Sequence, residues 1–234
     1  MKCLHSLLDI FFPRHCLNCQ QNLSADENGF ICPSCFHNFV FNPRSACYHC
    51  GRFMGTTHET VCQNCLELQP YFKQGISLFA FNNLGRQFIH TLKYHHGTYL
   101  EKDISKLLEH EQHRLTHFKN ACFVPVPLHF SRLWHRGYNQ SEIIAKALQK
   151  HCHGHFAKLL IRKNNTRSQT SLTRNERKKN VENAFKLKVK NIDVQILYVL
   201  VDDVFTTGAT LNECAKMLHL QGAKRISVFT LAHS

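Results

Sequence analysis

Residues 196–210 read ILYVLVDDVFTTGAT, and this stretch decides the fold. Its first six residues are a continuous apolar run, which is typical of a strand buried on both faces of a parallel sheet. Two carboxylates follow, Asp202 and Asp203, and then a Thr-Thr-Gly-Ala-Thr turn that opens a helix. In such sheets the ligand crevice lies at the carboxyl ends of the strands. The turn's N–H groups and hydroxyls, together with the positive end of the helix dipole, suit an anion.

The two carboxylates need a separate explanation because they repel a phosphate. They are accounted for if the ligand also presents sugar hydroxyls, which donate to carboxylates, or a Mg²⁺ shell. A ribose 5-phosphate satisfies both halves of the segment. The alternative is an ordinary strand–turn–helix unit in which Thr and Asp only cap the helix. A nucleotide P-loop is excluded, since no Gly-x-x-x-x-Gly-Lys stands here.

The rest of the chain alternates between strand-like and helix-like segments. Strands are predicted at residues 76–81, 121–126, 156–161 and 226–232. Helices are predicted at residues 84–94, 99–115, 141–149 and 211–220, with Ser141 as a plausible cap. This order predicts an α/β fold in which a parallel sheet is flanked by helices.

Eight of the twelve cysteines form four Cys-x-x-Cys pairs within residues 1–70. Paired thiolates at this spacing, without an apparent export signal, indicate zinc in a reducing compartment. Two tetrahedral Cys₄ sites follow, structural in kind because no position is left for water. Sequential pairing is favoured and cross-braced pairing stays open. The ligands are Cys16, Cys19, Cys32, Cys35, Cys47, Cys50, Cys62 and Cys65.

The net charge of +13 is concentrated in the middle of the chain. Residues 71–161 carry a net charge of +7 and residues 162–190 a net charge of +8. Such an excess predicts an anionic partner: phosphate, diphosphate or nucleic acid. The candidate cations are Arg132, Arg136, Arg162, Arg167, Arg174, Arg177, Lys178 and Lys179.

Several segments together resemble one family. Residues 199–210 resemble the signature for phosphoribosyl pyrophosphate (PRPP) in type I phosphoribosyltransferases. VPVPLHFSRLWHRGYNQ at residues 124–140 and the block at residues 167–185 resemble the competence protein F and GntX family. Leu92-Lys93-Tyr94 and the cysteine pairs extend the likeness over nearly the whole chain.

The resemblance implies a type I phosphoribosyltransferase fold behind a small zinc-binding domain. The implied division is residues 1–70 for zinc and 71–234 for the phosphoribosyltransferase-like domain, with a hood at 71–120 and a core at 121–234. Asp202 and Asp203 would hold the ribose hydroxyls, and Mg²⁺ would accompany PRPP. Residues 162–179 would be a loop that closes over the reacting centre. Arg136 and Arg174 would meet the diphosphate, with Arg174 and the two aspartates as catalytic residues. The 5-phosphate would be held by Thr206, Thr207, Gly208, Ala209 and Thr210.

The family likeness also implies a role in taking up transforming single-stranded DNA beside a helicase-like translocase and other uptake proteins. An active phosphoribosyltransferase with an unknown acceptor and a regulatory PRPP sensor remain alternatives. The aromatic and basic residues around Trp134 could stack single-stranded DNA. No apolar run is long enough for a transmembrane segment. A cytoplasmic location is expected, and attachment to the inner-membrane surface stays open.

Overall fold

A five-stranded, wholly parallel sheet forms the centre of the computed structural model, which describes residues 13–24, 26–42, 46–55, 59–94, 97–163 and 181–234. Its strand order is β1-β7-β6-β2-β3. A separate antiparallel pair, β4–β5, lies outside this sheet. The strands are β1 (Gln74–Ala80), β2 (Cys122–Pro125), β3 (His155–Phe156), β4 (Leu160–Arg162), β5 (Phe185–Leu187), β6 (Leu197–Phe205) and β7 (Arg225–His233).

Helices cover both faces of the sheet, as the sequence predicts. The helices are α1 (Pro33–Phe36), α2 (Gln63–Leu68), α3 (Asn83–Tyr94), α4 (Glu101–His110), α5 (Gln112–Leu115), α6 (Phe130–Arg136), α7 (Gln140–His151) and α8 (Ala209–Leu220), with 3₁₀ turns at Gly97–Leu100 and Thr116–Phe118. Side chains of β6 alternate between two hydrophobic clusters because successive residues of a strand face opposite sides. Val199 and Val201 pack with α3, α4 and α7, whereas Leu200 packs with α8. The predicted fold class is confirmed.

Two of the predicted elements are wrong as single units. Residues 156–161 do not form one strand, because β3 ends at Phe156 and the chain then leaves the edge of the sheet to pair as β4 with β5. A β-forming composition does not say which sheet a segment joins. The predicted helix at residues 99–115 is interrupted at Glu111, where φ is −99° and ψ is 17°. The buried Glu111 carboxylate accepts a hydrogen bond from Arg114 at 3.0 Å.

The predicted cap of the helix at residues 141–149 is also wrong. Asn139 caps α7, and its side-chain oxygen accepts a hydrogen bond from the Ser141 backbone N–H at 3.1 Å. Asn139 is buried, and its amide nitrogen donates to the carbonyl of Val126 at 3.0 Å. This second bond ties the start of α7 to the end of β2. The Ser141 side chain is therefore free of capping and turns to another partner.

The cysteine-rich region covers the outer edge of β1. The backbone N–H of Gly75 donates to Tyr48 at 3.0 Å, and that of Ala80 donates to Val40 at 2.8 Å. These bonds pair an edge that would otherwise be open to other chains. Strand β1 lies within the predicted hood yet belongs to the central sheet, so the boundaries at residues 70 and 120 stay a prediction.

Candidate functional site

The crevice lies where the strand order reverses. Chain order runs outward from β2 to β3 on one side of the sheet, and β6 and β7 lie on the other side of β2. The carboxyl ends of β2 and β6 therefore diverge into loops that leave a gap, which is where ligands bind in sheets of this kind. A cavity of about 510 Å³ fills this gap. Its floor is formed by residues 126–128 after β2 and by residues 202–206 at the end of β6.

Asp202 is a half-buried carboxylate with two hydrogen-bond donors on one oxygen. The Ser141 hydroxyl and the Asp203 backbone N–H each donate to Asp202 Oδ1 at 2.9 Å. Burial, followed by the neighbouring charge of Asp203, raises the pKa of Asp202 above its usual range, although Lys93 opposes this shift. An ionised Asp202 is thus energetically unfavourable in the folded chain. A cation or a hydroxyl donor from a ligand would lower that cost.

Asp203 is almost fully buried and forms an ion pair with Lys93 of α3. Lys93 Nζ lies 3.0 Å from Asp203 Oδ1. Among the described residues, Asp203 Oδ2 is buried without a hydrogen-bond partner. Burial is the largest influence and acts to lower the pKa of Lys93, but the charge of Asp203, its hydrogen bond to Lys93 and the charge of Asp202 together outweigh burial, so the pKa of Lys93 is raised. This pair does not close the crevice, because Lys93, Asp202 and Asp203 all line the open cavity.

The turn after β6 presents part of its surface to the cavity. Thr206, Gly208 and Thr210 line it, whereas Ala209 is buried and the Thr207 carbonyl accepts a hydrogen bond from Asn64. Gly208 has φ of +77°, a left-handed conformation that side chains disfavour, and α8 begins immediately after it. The first N–H groups of a twelve-residue helix therefore start at the cavity wall.

Three arginines also line the cavity: Arg132, Arg136 and Arg162. Burial and then the charge of Arg132 lower the pKa of Arg162, and burial and then the charge of Arg136 lower the pKa of Arg132. These cations repel one another, so an anion between them would relieve the repulsion. Arg136 also stacks on the Tyr94 ring, with its guanidinium carbon 5.1 Å from the centroid, and donates to Gln140 Oε1.

The sequence did not single out two of the residues that shape this site. Lys93 entered only as part of a family motif, and Ser141 entered as a helix cap. Both come from elements remote in sequence from the acidic pair, so no local pattern could place them beside it. Arg174 lies outside the described residues, as do Arg167, Arg177, Lys178 and Lys179. Its predicted catalytic role therefore stays a prediction.

The cysteines gather into two groups of four in sequential order. Cys16, Cys19, Cys32 and Cys35 form the first group, and Cys47, Cys50, Cys62 and Cys65 form the second, with the ligand atoms of each group within 4.8 Å of one another. Sequential pairing is what the spacing favours, and the cross-braced alternative is not observed in either group.

The sulfur geometry fits tetrahedral zinc. The sulfurs of Cys19 and Cys32 are 3.8 Å apart, and those of Cys50 and Cys62 are 3.7 Å apart. A tetrahedron with Zn–S bonds of about 2.3 Å places its sulfurs roughly 3.8 Å apart. Backbone N–H groups also donate to the sulfurs of Cys16 and Cys47, at 3.4 and 3.3 Å. Such donors stabilise thiolates.

A comparison with protein families agrees with these groups. Residues 7–66 match the family model for a double zinc ribbon domain. Competence protein F of Haemophilus influenzae is 30% identical over 230 residues, which cover 96% of this chain and 99% of that protein. DNA utilization protein YhgH of Escherichia coli K12 is 29% identical over 95% of this chain and 98% of its own length. Competence protein ComFC of Streptococcus pneumoniae is 29% identical over 89% of this chain and 90% of its own length.

The solved structures that are similar include the purine phosphoribosyltransferase from Pyrococcus horikoshii OT3. It is 12% identical, with a TM-score of 0.34, and the match covers 56% of this chain and 82% of that one. The fold and site define a parallel α/β protein with an arginine-lined crevice at the carboxyl ends of its strands and an N-terminal double zinc ribbon. With a near-full-length relative at 30% identity, the chain belongs to the competence protein F family. Across the residues that the structure describes, each helix is too short or too polar to cross a membrane.

Proposed function

We propose that the crevice binds PRPP together with Mg²⁺. The observation that carries this proposal is the convergence of three different chemistries on one cavity: an acidic pair, a Thr-Gly turn at a helix start and three arginines. A cavity of about 510 Å³ is within the range of small-molecule sites. A ligand with hydroxyls, a monophosphate and a diphosphate matches all three groups at once.

Each part of PRPP has a chemical counterpart in the crevice. The ribose hydroxyls would donate to Asp202 and to the unpartnered oxygen of Asp203. The 5-phosphate would lie against Thr206 and Thr210 at the start of α8, where hydroxyls and N–H groups favour an anion. Mg²⁺ is usually held by one or two carboxylates plus substrate phosphates, so the acidic pair also suits the metal. The diphosphate would face Arg132, Arg136 and Arg162.

The biological role that we propose is the handling of transforming DNA. Two relatives are named competence proteins and another is named a DNA utilization protein. We extend this role to the present chain, in the cytoplasm or at the inner surface of the inner membrane. A helicase-like translocase and other uptake proteins would be its partners. PRPP would then be a regulatory ligand or a substrate.

A second activity, binding of single-stranded DNA, is favoured by helix α6. None of its residues is buried, and the side chains of Phe130 and Trp134 are 70% and 76% exposed. The two rings lie 6.0 Å apart, next to Arg132 and Arg136 of the cavity wall. Aromatic faces among cations stack successive bases without sequence preference. Retention of an oligonucleotide that falls steeply with salt would support this activity.

An active phosphoribosyltransferase is the alternative to a regulatory ligand site. An enzyme releases diphosphate from PRPP when its acceptor is present, whereas a sensor binds PRPP without turnover. The acceptor would enter from the side of α3 and α6, where Tyr94 and His135 line the cavity. A screen of nucleobases for diphosphate release distinguishes an active enzyme from a PRPP sensor.

The test of PRPP binding is a calorimetric titration of the purified protein with PRPP and Mg²⁺. We expect the double variant Asp202→Ala/Asp203→Ala to lose binding while it keeps two equivalents of zinc. Zinc content is the control, because none of the eight cysteine ligands lines the crevice. Unchanged PRPP affinity in the double variant would refute the assignment.

A further inference from the structure

Helix α2 belongs to the second Cys₄ group and touches the turn after β6. It starts directly after Cys62 and contains Cys65. Asn64 Nδ2 donates to the Thr207 carbonyl at 3.3 Å. One turn further along the helix, Leu68 packs over Gly208, so that a Cβ placed on Gly208 would lie 2.8 Å from Leu68 Cδ2. The turn is therefore contacted by a polar and an apolar side chain of one short helix.

The residues that follow α2 contact the helix and the strand on either side of the turn, α8 and β6. The Tyr71 backbone N–H donates to Asn212 Oδ1 of α8 at 2.7 Å. The Phe72 ring packs edge-on against Phe205, the last residue of β6, with centroids 6.3 Å apart. All four cysteines of the second group share a hydrophobic cluster with Phe205 and Leu211. Metal ligands and turn thus belong to one packed unit.

The first Cys₄ group contacts a different part of the molecule. Cys16, Cys32 and Cys35 lie in the cluster on the other face of the sheet. Next to Cys32, the N–H groups of Phe30 and Ile31 donate to the carboxylate of Asp103 in α4. Within the described residues, this group is bonded to α4 through Asp103 and to α3, where the Gln87 side chain donates to the Leu17 carbonyl. The first Cys₄ group can therefore serve as a control for the second, because only the second group lies beside the turn.

We propose that the second Cys₄ group positions the anion-binding turn, so that metal binding there and phosphate binding at the turn strengthen each other. Asn64 and Leu68 are the positioning residues. This inference rests on the proposed PRPP site. The left-handed Gly208 and the orientation of Thr206 and Thr210 depend on a helix that has only six residues and is anchored by Cys62 and Cys65. A helix this short is not stable alone, so its anchor decides whether it persists.

The coupling must be reciprocal, since two sites linked by a free energy affect each other by the same factor. Loss of metal from the second group would weaken PRPP binding, and bound PRPP would slow loss of that metal. The first group would show neither effect. The crevice would then be sensitive to zinc supply and to thiol oxidants through one of the two groups.

Paired variants on α2 test the positioning residues. Leu68→Ala and Asn64→Ala remove the two contacts with the turn, and Leu66→Ala and Gln63→Ala are matched controls on exposed positions of the same helix. We expect both contact variants to weaken PRPP affinity about fivefold or more, within the usual range of coupling between sites. The controls should bind like the wild type. Zinc content and melting temperature identify any variant that fails to fold.

Zinc release provides the reciprocal measurement. With a zinc-selective chromogenic chelator, we expect PRPP and Mg²⁺ to slow the release of one zinc ion at least fivefold and to leave the other unchanged. Asn64→Ala should remove that protection. Equal PRPP affinity in all four variants, or equal protection of both ions, overturns the coupling while PRPP binding stands. A wild-type chain that binds no PRPP overturns both the coupling and the proposed function.

Discussion

At the scale of single residues, the ionised form of Asp202 is energetically unfavourable in the folded protein. Its pKa is raised by burial and by Asp203, so the folded chain holds a proton on it more tightly than the unfolded chain does. Stability from this group is therefore present at low pH and is lost as pH rises from about 4 through the raised pKa of the folded state. A carboxyl group with a strongly raised pKa is typical of functional positions, and the raised pKa of Asp202 has no evident structural purpose.

The substitution Asp202→Asn should therefore stabilise the protein at neutral pH. One oxygen of Asp202 accepts both hydrogen bonds, and an amide oxygen can accept them as well. We expect the free energy of unfolding at pH 8 to rise by about 1 kcal/mol, with little change at pH 4. Urea unfolding at both pH values measures this. A loss of stability at pH 8 would show that the ionised carboxylate is structurally required.

The Lys93–Asp203 ion pair calls for a double-mutant cycle. Lys93→Met should lower the free energy of unfolding by about 2 kcal/mol, because it leaves a buried carboxylate unpaired. Asp203→Asn in the same chain should restore most of that loss, since neither charge then remains. Urea unfolding of the wild type, both single variants and the double variant gives the coupling. Additive effects would contradict a direct pair.

At the scale of elements, α6 is a helix whose exposed aromatic residues have no role in the core. Trp134→Ala should leave the melting temperature nearly unchanged, because Trp134 is 76% exposed. We expect it to weaken binding of a single-stranded oligonucleotide by about 1–3 kcal/mol, the usual value of stacking one base. Fluorescence anisotropy measures this, and Leu220→Ala, another exposed apolar position, is the control. Equal affinity of the wild type and Trp134→Ala for the oligonucleotide would show that Trp134 of α6 does not contact single-stranded DNA.

The elements also show what sequence can and cannot predict. The central strands β2, β6 and β7 were predicted because continuous apolar runs such as residues 196–201 are typical of strands buried on both faces of a parallel sheet. The strand predicted at residues 156–161 failed because its pairing partner, β5, is set by a contact more than twenty residues away. Asp202, Asp203 and the turn were predicted from one contiguous segment. Lys93 and Ser141 reach that segment only through the packing of α3 and α7 on the sheet.

At the scale of the whole molecule, the two Cys₄ groups stabilise the edge of the sheet. All the cysteine ligands except Cys19 are buried, and the region between the groups pairs with β1. Structural zinc contributes several kcal/mol to folding. We expect removal of both ions by a strong chelator to lower the melting temperature by about 10 °C or more. Circular dichroism follows the thermal unfolding transition, and added zinc should restore the original melting temperature. A chelated chain that melts like the zinc form would contradict a structural role.

The central claim is that PRPP lies across the carboxyl ends of β2 and β6. A crystal structure of the protein grown with PRPP and Mg²⁺ is its most direct test. The account predicts the 5-phosphate within hydrogen-bond distance of Thr206 and Thr210, and the ribose hydroxyls at Asp202 and Asp203. PRPP bound elsewhere on the chain, or an empty crevice in crystals grown at a saturating PRPP concentration, would contradict it.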